Sequence, residues 1–126
     1  MNEAKIKQKV TEIKQHVTHF SEQLRREAIH EQDVVVGGKI TSIIPPLDDT
    51  FPMYIVILDD LVGQLHVFIP DEMMQVYMDQ FQIGNHVFVE GFVNVITRRI
   101  NKELKRDISI FAYGMKEISA NGDIER

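Results

Sequence analysis

The chain contains no cysteine, and its 126 residues carry only 14 lysines and arginines against 19 aspartates and glutamates. The lack of cysteine excludes disulfides, thiolate metal sites and a cysteine nucleophile, and it is typical of a cytoplasmic protein. No apolar run approaches the roughly 20 residues that a membrane helix needs. The polar residues at the start, MNEAKIKQKV, do not have the pattern of a secretory signal. We therefore expect a cytoplasmic protein without a membrane partner.

Positive charge is scarce overall, with a net charge of −5, but it is not evenly spread. Residues 33–96 carry nine acids and a single cation, Lys39, whereas residues 97–107 have a net charge of +3. A basic footprint over the whole chain, which many nucleic-acid-binding proteins have, is absent. Local potential governs contact with a phosphate backbone, however, so the short basic segment is the better candidate for a binding site.

Residues 3–30 are predicted to form one long helix, because no glycine or proline interrupts them and apolar residues recur at spacings of three and four. This spacing is typical of a coiled-coil seam. A helix of that length spans about 40 Å, so dimerisation through it and docking on its own domain are about equally expected. The oligomerisation residues that we assign are Val10, Ile13, Val17, Phe20 and Leu24.

Five segments with period-two alternation are predicted to be strands, separated by glycine, proline and aspartate turns. The expected strands are 33–44, 53–59, 64–69, 86–96 and 106–115, with a short helix after Pro70 and a basic loop at 97–106. A helix between the third and fourth of five strands is the order of a Greek-key OB-fold barrel. The predicted fold class is therefore mainly β: an OB-fold barrel with a long N-terminal helix and a short helix between strands three and four.

Residues 34–118 resemble the nucleic-acid-binding OB domains of the bacterial replicative polymerase alpha subunit and the anticodon-binding domains of class II aminoacyl-tRNA synthetases. The motifs that carry this resemblance are VVVGGKITSI, LDDLVGQLHVFI and IGNHVFVEGFV. The resemblance implies that His66 hydrogen-bonds a base. It also implies that Ile55 lies where those relatives have a stacking phenylalanine, so other rings must stack here.

Candidate nucleic-acid-binding residues fall into two groups. The cations contact phosphates, since an arginine forks onto an anion and a lysine supplies a point charge. The outward-facing polar and aromatic side chains contact or stack on bases. The complete set is Arg98, Arg99, Lys102, Lys105, Arg106, Lys39, His66, Phe68, Gln64 and Phe51. The alternative for each ring is that it packs beneath a helix or a partner.

Catalytic chemistry is not indicated, because the sequence has no glycine-rich phosphate loop and no nucleophile–base constellation. Glu12, His16 and His19 lie on one helical stripe, but the next position is Gln23, a poor zinc ligand. A solvated face is the better interpretation of that stripe. We therefore expect no enzyme, no metal and no cofactor.

The function predicted from sequence is binding of single-stranded DNA or RNA, more readily DNA, accessory to replication, recombination or repair. Residues 1–32 are assigned as an N-terminal helix for oligomerisation or for docking to replication or repair proteins, 33–118 as the OB-fold domain, and 119–126 as a flexible tail. The alternative is a protein–protein adaptor or an oligomeric structural subunit that uses the same face and the N-terminal helix.

Overall fold

The computed structural model describes residues 11–116. Two helices and five strands lie wholly within this range, and residues 11–14 are also helical. Their bounds are α1 Ser21–Glu27, β1 Asp33–Ile44, β2 Met53–Asp59, β3 Gln64–Pro70, α2 Asp71–Val76, β4 His86–Ile100 and β5 Glu103–Met115.

The strands close on themselves in the order β1-β2-β3-β5-β4, and β4 returns to β1. Every pair is antiparallel except β3 with β5. The closure is uneven, because β4 and β5 share twelve register pairs whereas β3 and β5 share three, from His66–Ser109 to Phe68–Phe111. The predicted OB-fold Greek-key barrel is therefore corrected: the structure is a five-stranded closed sheet and not an evenly formed barrel.

Alternation along the strands builds the core. Val56, Leu58, Val67 and Ile69 are fully buried, while intervening side chains such as His66 face outward. This inward set is the one that period-two alternation predicts. The short helix α2 lies between β3 and β4, as expected, and buries two methionines, Met73 and Met74.

A tight glycine lets β1 bend around the core. Gly38 has a φ of 153°, and a Cβ built there would lie 2.4 Å from the Asp59 carbonyl oxygen. A side chain cannot occupy that space, so the close approach of β1 to β2 requires glycine. The pairing register of β1 with β2 then shifts between Ile40 and Ser42.

The prediction of a long N-terminal helix is wrong. Residues 11–14 are helical, but the helix does not continue to α1, and residues 17–20 have no helical structure. Thr18 instead binds β1: its backbone N–H donates to the Val35 carbonyl at 2.9 Å, and its Oγ1 accepts from the Val35 N–H at 2.9 Å. A β-branched residue has weak helix propensity, and a strand edge offers it a better partner.

The apolar spacing of this segment serves the chain's own core. Leu24 is fully buried and Ile13 is 5% exposed, whereas Val17 and Phe20 are half-buried. Val10 lies outside the described residues. Two of the assigned oligomerisation residues are therefore buried without a partner chain, although their role in association stays a prediction. The division of the chain into segments 1–32, 33–118 and 119–126 also stays a prediction.

The predicted basic loop at 97–106 is wrong as well. β4 continues to Ile100 and β5 begins at Glu103, so the segment is a β-hairpin joined by a two-residue turn. The turn residues Asn101 and Lys102 have φ values of 51° and 69°, which is the left-handed backbone that a tight hairpin turn of type I′ requires. Four of the five cations therefore lie on paired strands that extend beyond the core, and Lys102 lies in the turn.

Candidate nucleic-acid interface

Four phenylalanine rings form a continuous aromatic row (Phe51, Phe68, Phe111 and Phe92) across the outer face of the sheet. The centroids of Phe68 and Phe111 are 5.0 Å apart with nearly parallel planes, and those of Phe111 and Phe92 are 5.5 Å apart in the same manner. Phe51 meets Phe68 edge-on at 5.7 Å. The two end rings are the most open, since Phe51 is 47% exposed and Phe92 is 37% exposed.

Strand register explains why these rings meet. Phe68 of β3 lies opposite Phe111 of β5, and Phe111 lies opposite Phe92 of β4. Directly opposed residues place their side chains on the same face of a sheet. Phe51 belongs to the segment between β1 and β2 and reaches the row from its edge. Three neighbouring strands and one loop therefore supply a single apolar surface.

Polar side chains border the aromatic row on β3, β4 and β5. His66 lies opposite Ser109, and Asn94 Nδ2 donates to Ser109 Oγ at 3.4 Å. A groove of about 360 Å³ opens here because β3 and β5 separate beyond their three pairs. Its lining is Arg25, Gln64, His66, Phe68, Ile96, Arg106, Asp107, Ile108 and Ser109. The groove thus brings together predicted residues from two distant parts of the chain.

The five cations of the hairpin have different environments. Arg98 forms an ion pair with Asp107 across the strands, so its charge is already compensated. Arg106 donates from Nη1 to the Arg26 carbonyl at 3.0 Å and from Nη2 to the Ala28 carbonyl. Arg99, Lys102 and Lys105 make no ion pair with any residue between 11 and 116. These three are the cations most available to an external anion.

Arg106 has a structural role that the basic pattern did not reveal. The carbonyls that it binds lie at the C-terminal end of α1, where helix carbonyls lack intrahelical partners and the dipole favours a cation. At the other end, the buried Asp60 accepts from the Ser21 backbone N–H at 2.6 Å and from Ser21 Oγ at 3.0 Å. An acid from the β2–β3 turn and a cation from β5 therefore hold the two ends of this seven-residue helix.

Fixing α1 in this way positions a further arginine at the groove. Arg25 Nη2 donates to the Gln64 carbonyl, on the part of β3 that β5 no longer covers. Gly63 permits the contact, since a Cβ there would lie 3.0 Å from Arg25 Nη1 and 2.5 Å from Ser21 Oγ. Arg25 was not among the predicted binding residues. Its position depends on long-range contacts, and no local sequence signal indicates it.

Lys39, one of the predicted binding residues, lies apart from the aromatic row. Lys39 pairs in register with Asp59 of β2 and with His86 of β4. Asp59 lies four residues along β2 from Ile55, the residue that pairs with Phe68. The structure does not bring Lys39 to the aromatic row. Ile55 itself is half-buried beside Phe68.

Three residues of the interface went unassigned in the sequence: Phe111, Asn94 and Ser109. Phe92 was not assigned to binding either. Phe111 and Ser109 flank the buried Ile110 in β5, so extending the alternation to this strand would have placed both on the outer face. Their proximity to β3 depends on the parallel β3–β5 pairing, which alternation alone does not specify.

Two ionisable side chains near these surfaces have shifted pKa values. Hydrogen bonds from the Thr50 hydroxyl and backbone N–H lower the pKa of Asp48. Desolvation, followed by the hydrogen bond from Tyr113 Oη to Asp33 at 3.1 Å, raises the pKa of Tyr113. Asp48 thus remains ionised in the segment between β1 and β2, and Tyr113 remains neutral.

The two histidines of the predicted stripe, His16 and His19, have other neighbours in the structure. His16 packs edge-on against Phe88 at 5.1 Å, and His19 Nδ1 bonds Thr18 Oγ1 at 2.8 Å. Within residues 11–116 no group of three or more histidines, cysteines or carboxylates is arranged to hold a metal ion. In the same part of the chain, no helix has the length and apolar character to cross a membrane.

Comparisons with known proteins do not assign a family. No protein-family model and no curated protein matches the chain. Among solved structures, one described as "OBody AM1L10 bound to hen egg-white lysozyme" is 20% identical and covers 77% of this chain and 95% of that one, with a TM-score of 0.47. The resemblance of residues 34–118 to nucleic-acid-binding domains stays a prediction.

Proposed function

We propose that the protein binds single-stranded nucleic acid, and DNA in particular, across the outer face of its sheet. The observation that carries this proposal is the aromatic row, because four rings in contact form an apolar ledge wide enough for successive bases. Every base has a π-face, so stacking on such a ledge tolerates any sequence. A binder of this kind suits an accessory role in replication, recombination or repair.

The two ends of the row have the largest share of the contact. Phe51 and Phe92 expose 47% and 37% of their surface, whereas Phe68 and Phe111 are half-buried and support them. His66, Asn94 and Ser109 border the rings with hydrogen-bonding groups that can reach base edges. No charged side chain of the described residues lies within the row itself, so stacking accounts for most of the affinity there.

Phosphates further along the strand are held by the hairpin, because Lys105 lies six residues, about 20 Å, along β5 from Phe111 of the row. Arg99, Lys102 and Lys105 are exposed and lack ion pairs within residues 11–116. Arg98 contributes less, since Asp107 already compensates its charge, and Arg106 is committed to α1. The acidic side chains Asp48 and Asp49 lie next to Phe51 and repel phosphate, so we expect the backbone to enter from the hairpin side.

The test is fluorescence anisotropy of a labelled oligothymidylate with three variants of the protein. Phe92→Ala removes one base–aromatic contact worth about 1–3 kcal/mol, so we expect binding about tenfold weaker. Phe92→Leu keeps an apolar side chain but no ring, and we expect nearly the same loss. Val76→Ala, at an apolar residue that is 72% exposed on α2, is the matched control and should bind like the parent.

Salt gives a second readout. Three phosphate contacts predict that the logarithm of the affinity falls with the logarithm of salt concentration with a slope of about −2. Absence of binding at low salt would refute the proposal, and so would equal affinity of Phe92→Ala, Phe92→Leu and the parent. A DNA duplex bound as tightly as the single strand would also refute it, because paired bases are not free to stack on the row.

A further inference from the structure

The tip of the β4–β5 hairpin (residues 99–105, the arm tip) combines exposed apolar and basic side chains. Ile100 and Leu104 are 38% and 64% exposed. Arg99, Lys102 and Lys105 surround them against a single acid, Glu103. Two apolar side chains within so basic a segment are not needed for contact with phosphates. Leu104 shares one face of the hairpin with Arg99, and Ile100 shares the other face with Glu103, so a groove that encloses the tip would bury both apolar side chains.

A second surface has the complementary character. The segment between β1 and β2 encloses an apolar groove of about 270 Å³ (the loop groove). Its lining is Ile44, Pro45, Leu47, Asp48, Thr50, Phe51, Met53 and Ile55. Leu47 is 95% exposed, and the neighbouring carboxylates of Asp48 and Asp49 are also exposed. The apolar floor has an acidic rim, opposite in charge to the arm tip.

The arm tip cannot reach the loop groove of its own chain. Ile55, in the groove, is level with Phe68 and Phe111 in the strand register. Lys105 lies six residues before Phe111 on β5, which is about 20 Å at the rise of a β-strand. In that direction β2 runs away from the groove toward Asp59. The two surfaces therefore lie at opposite ends of the molecule.

We propose that the arm tip of one copy of this chain docks in the loop groove of a second copy. Charge supports a second copy as the occupant, because residues 33–96 have a net charge of −8 and residues 97–107 of +3 in the same chain. Unlike surfaces meet in this contact, so it is head-to-tail and generates a ring or an open chain. The contact involves few side chains, so the interface is small and we expect weak association that increases with protein concentration.

The experiment is sedimentation velocity over a concentration series, on protein treated with nuclease and freed of nucleic acid. Two variants each disable one surface: Leu104→Asp on the arm tip and Leu47→Asp in the loop groove. Both positions are exposed, so neither change disturbs the core, and circular dichroism verifies the fold. Leu47 is preferred to Phe51 because Phe51 also belongs to the aromatic row. Ile83→Asp, at an apolar residue that is 68% exposed elsewhere, is the matched control.

We expect the parent and Ile83→Asp to associate alike as concentration rises, and each disabling variant to associate at least about tenfold more weakly. An equimolar mixture of the two disabling variants has one intact arm tip and one intact groove, so it should form dimers and stop there. A charge exchange sharpens the test: Lys105→Asp and Asp49→Lys should each weaken association alone and restore it when mixed.

Three outcomes would overturn the inference: a parent that stays monomeric at millimolar concentration, equal loss in Ile83→Asp, or a mixture that stays monomeric while the parent associates. The test contains no oligonucleotide. Its failure would therefore leave the proposed nucleic-acid binding untouched, and failure of nucleic-acid binding would leave this test unchanged.

Discussion

The β4–β5 hairpin is one continuous ladder of paired strands, yet its two halves are built differently. In the root (residues 87–95 and 108–115), side chains such as Val93 and Ile110 are fully buried in the core. In the arm (residues 96–107), every residue is exposed except the half-buried Arg106. The backbone pairing is the same in both halves. The difference shows that hydrogen-bonded strands can continue beyond the core that their other half helps to build.

The sharpest contrast between root and arm should be in stability. Ile110→Ala removes a fully buried side chain and leaves a cavity, so we expect the free energy of unfolding to fall by about 3 kcal/mol. Leu104→Ala, in the arm, should change it by less than about 0.5 kcal/mol. Urea denaturation followed by circular dichroism measures both. Equal losses in the two variants would mean that the arm is part of the cooperative core.

The strands of the root were predictable because the alternation of buried and exposed side chains is strict there. A residue such as Val89 has to be buried for the sheet to have a core, and the pattern states this directly. The arm was predicted as a loop because its exposed strands bury neither face and therefore have no alternation. Only the turn residues Asn101 and Lys102, with their left-handed backbone, mark the hairpin.

The prediction for the N-terminal segment was wrong for a different reason. The apolar spacing from Ile13 to Leu24 indicates a helical seam, but the spacing does not specify which surface these side chains pack against. In the structure Leu24 packs in the core and Ile13 is buried within the same chain, and Thr18 interrupts the helix by binding β1. Tertiary contacts of this kind override local propensity. They also explain why Arg106, counted among the phosphate-binding cations, caps a helix 80 residues away.

Part of the candidate site was predictable from the sequence, but its arrangement was not. Phe68 was assigned from its outward position, Phe51 as an alternative stacking ring, and His66 from the resemblance. Phe111 joins them only through the parallel pairing of β3 with β5, which brings together segments more than 40 residues apart. The register between strands that are not consecutive in the chain is set by closure of the sheet, and no short sequence window contains it.

Substitutions at two neighbouring cations on β5, Arg106 and Lys105, should distinguish a structural role from a binding role. Arg106→Gln removes a charged donor from the last carbonyls of α1, so we expect a loss of about 1.5 kcal/mol in the free energy of unfolding. Lys105→Gln should leave stability unchanged and reduce the magnitude of the salt slope of oligonucleotide binding by about 0.7, the contribution of one phosphate contact. Urea denaturation and anisotropy, applied to both variants, provide the measurements. The comparison between root and arm fails if Lys105→Gln destabilises the protein as much as Arg106→Gln.

The smallest expected effect concerns the turn of the arm. Lys102→Gly places glycine at a φ of 69°, and Asn-Gly is the preferred pair for a type I′ turn, so we expect stabilisation by about 0.5 kcal/mol. The variant also removes one exposed cation, so oligonucleotide affinity should fall by about twofold at moderate salt. Urea denaturation and anisotropy would then move in opposite directions. If affinity rose instead, order in the arm rather than its charge would limit binding, and the arm would have to be counted as a positioning element.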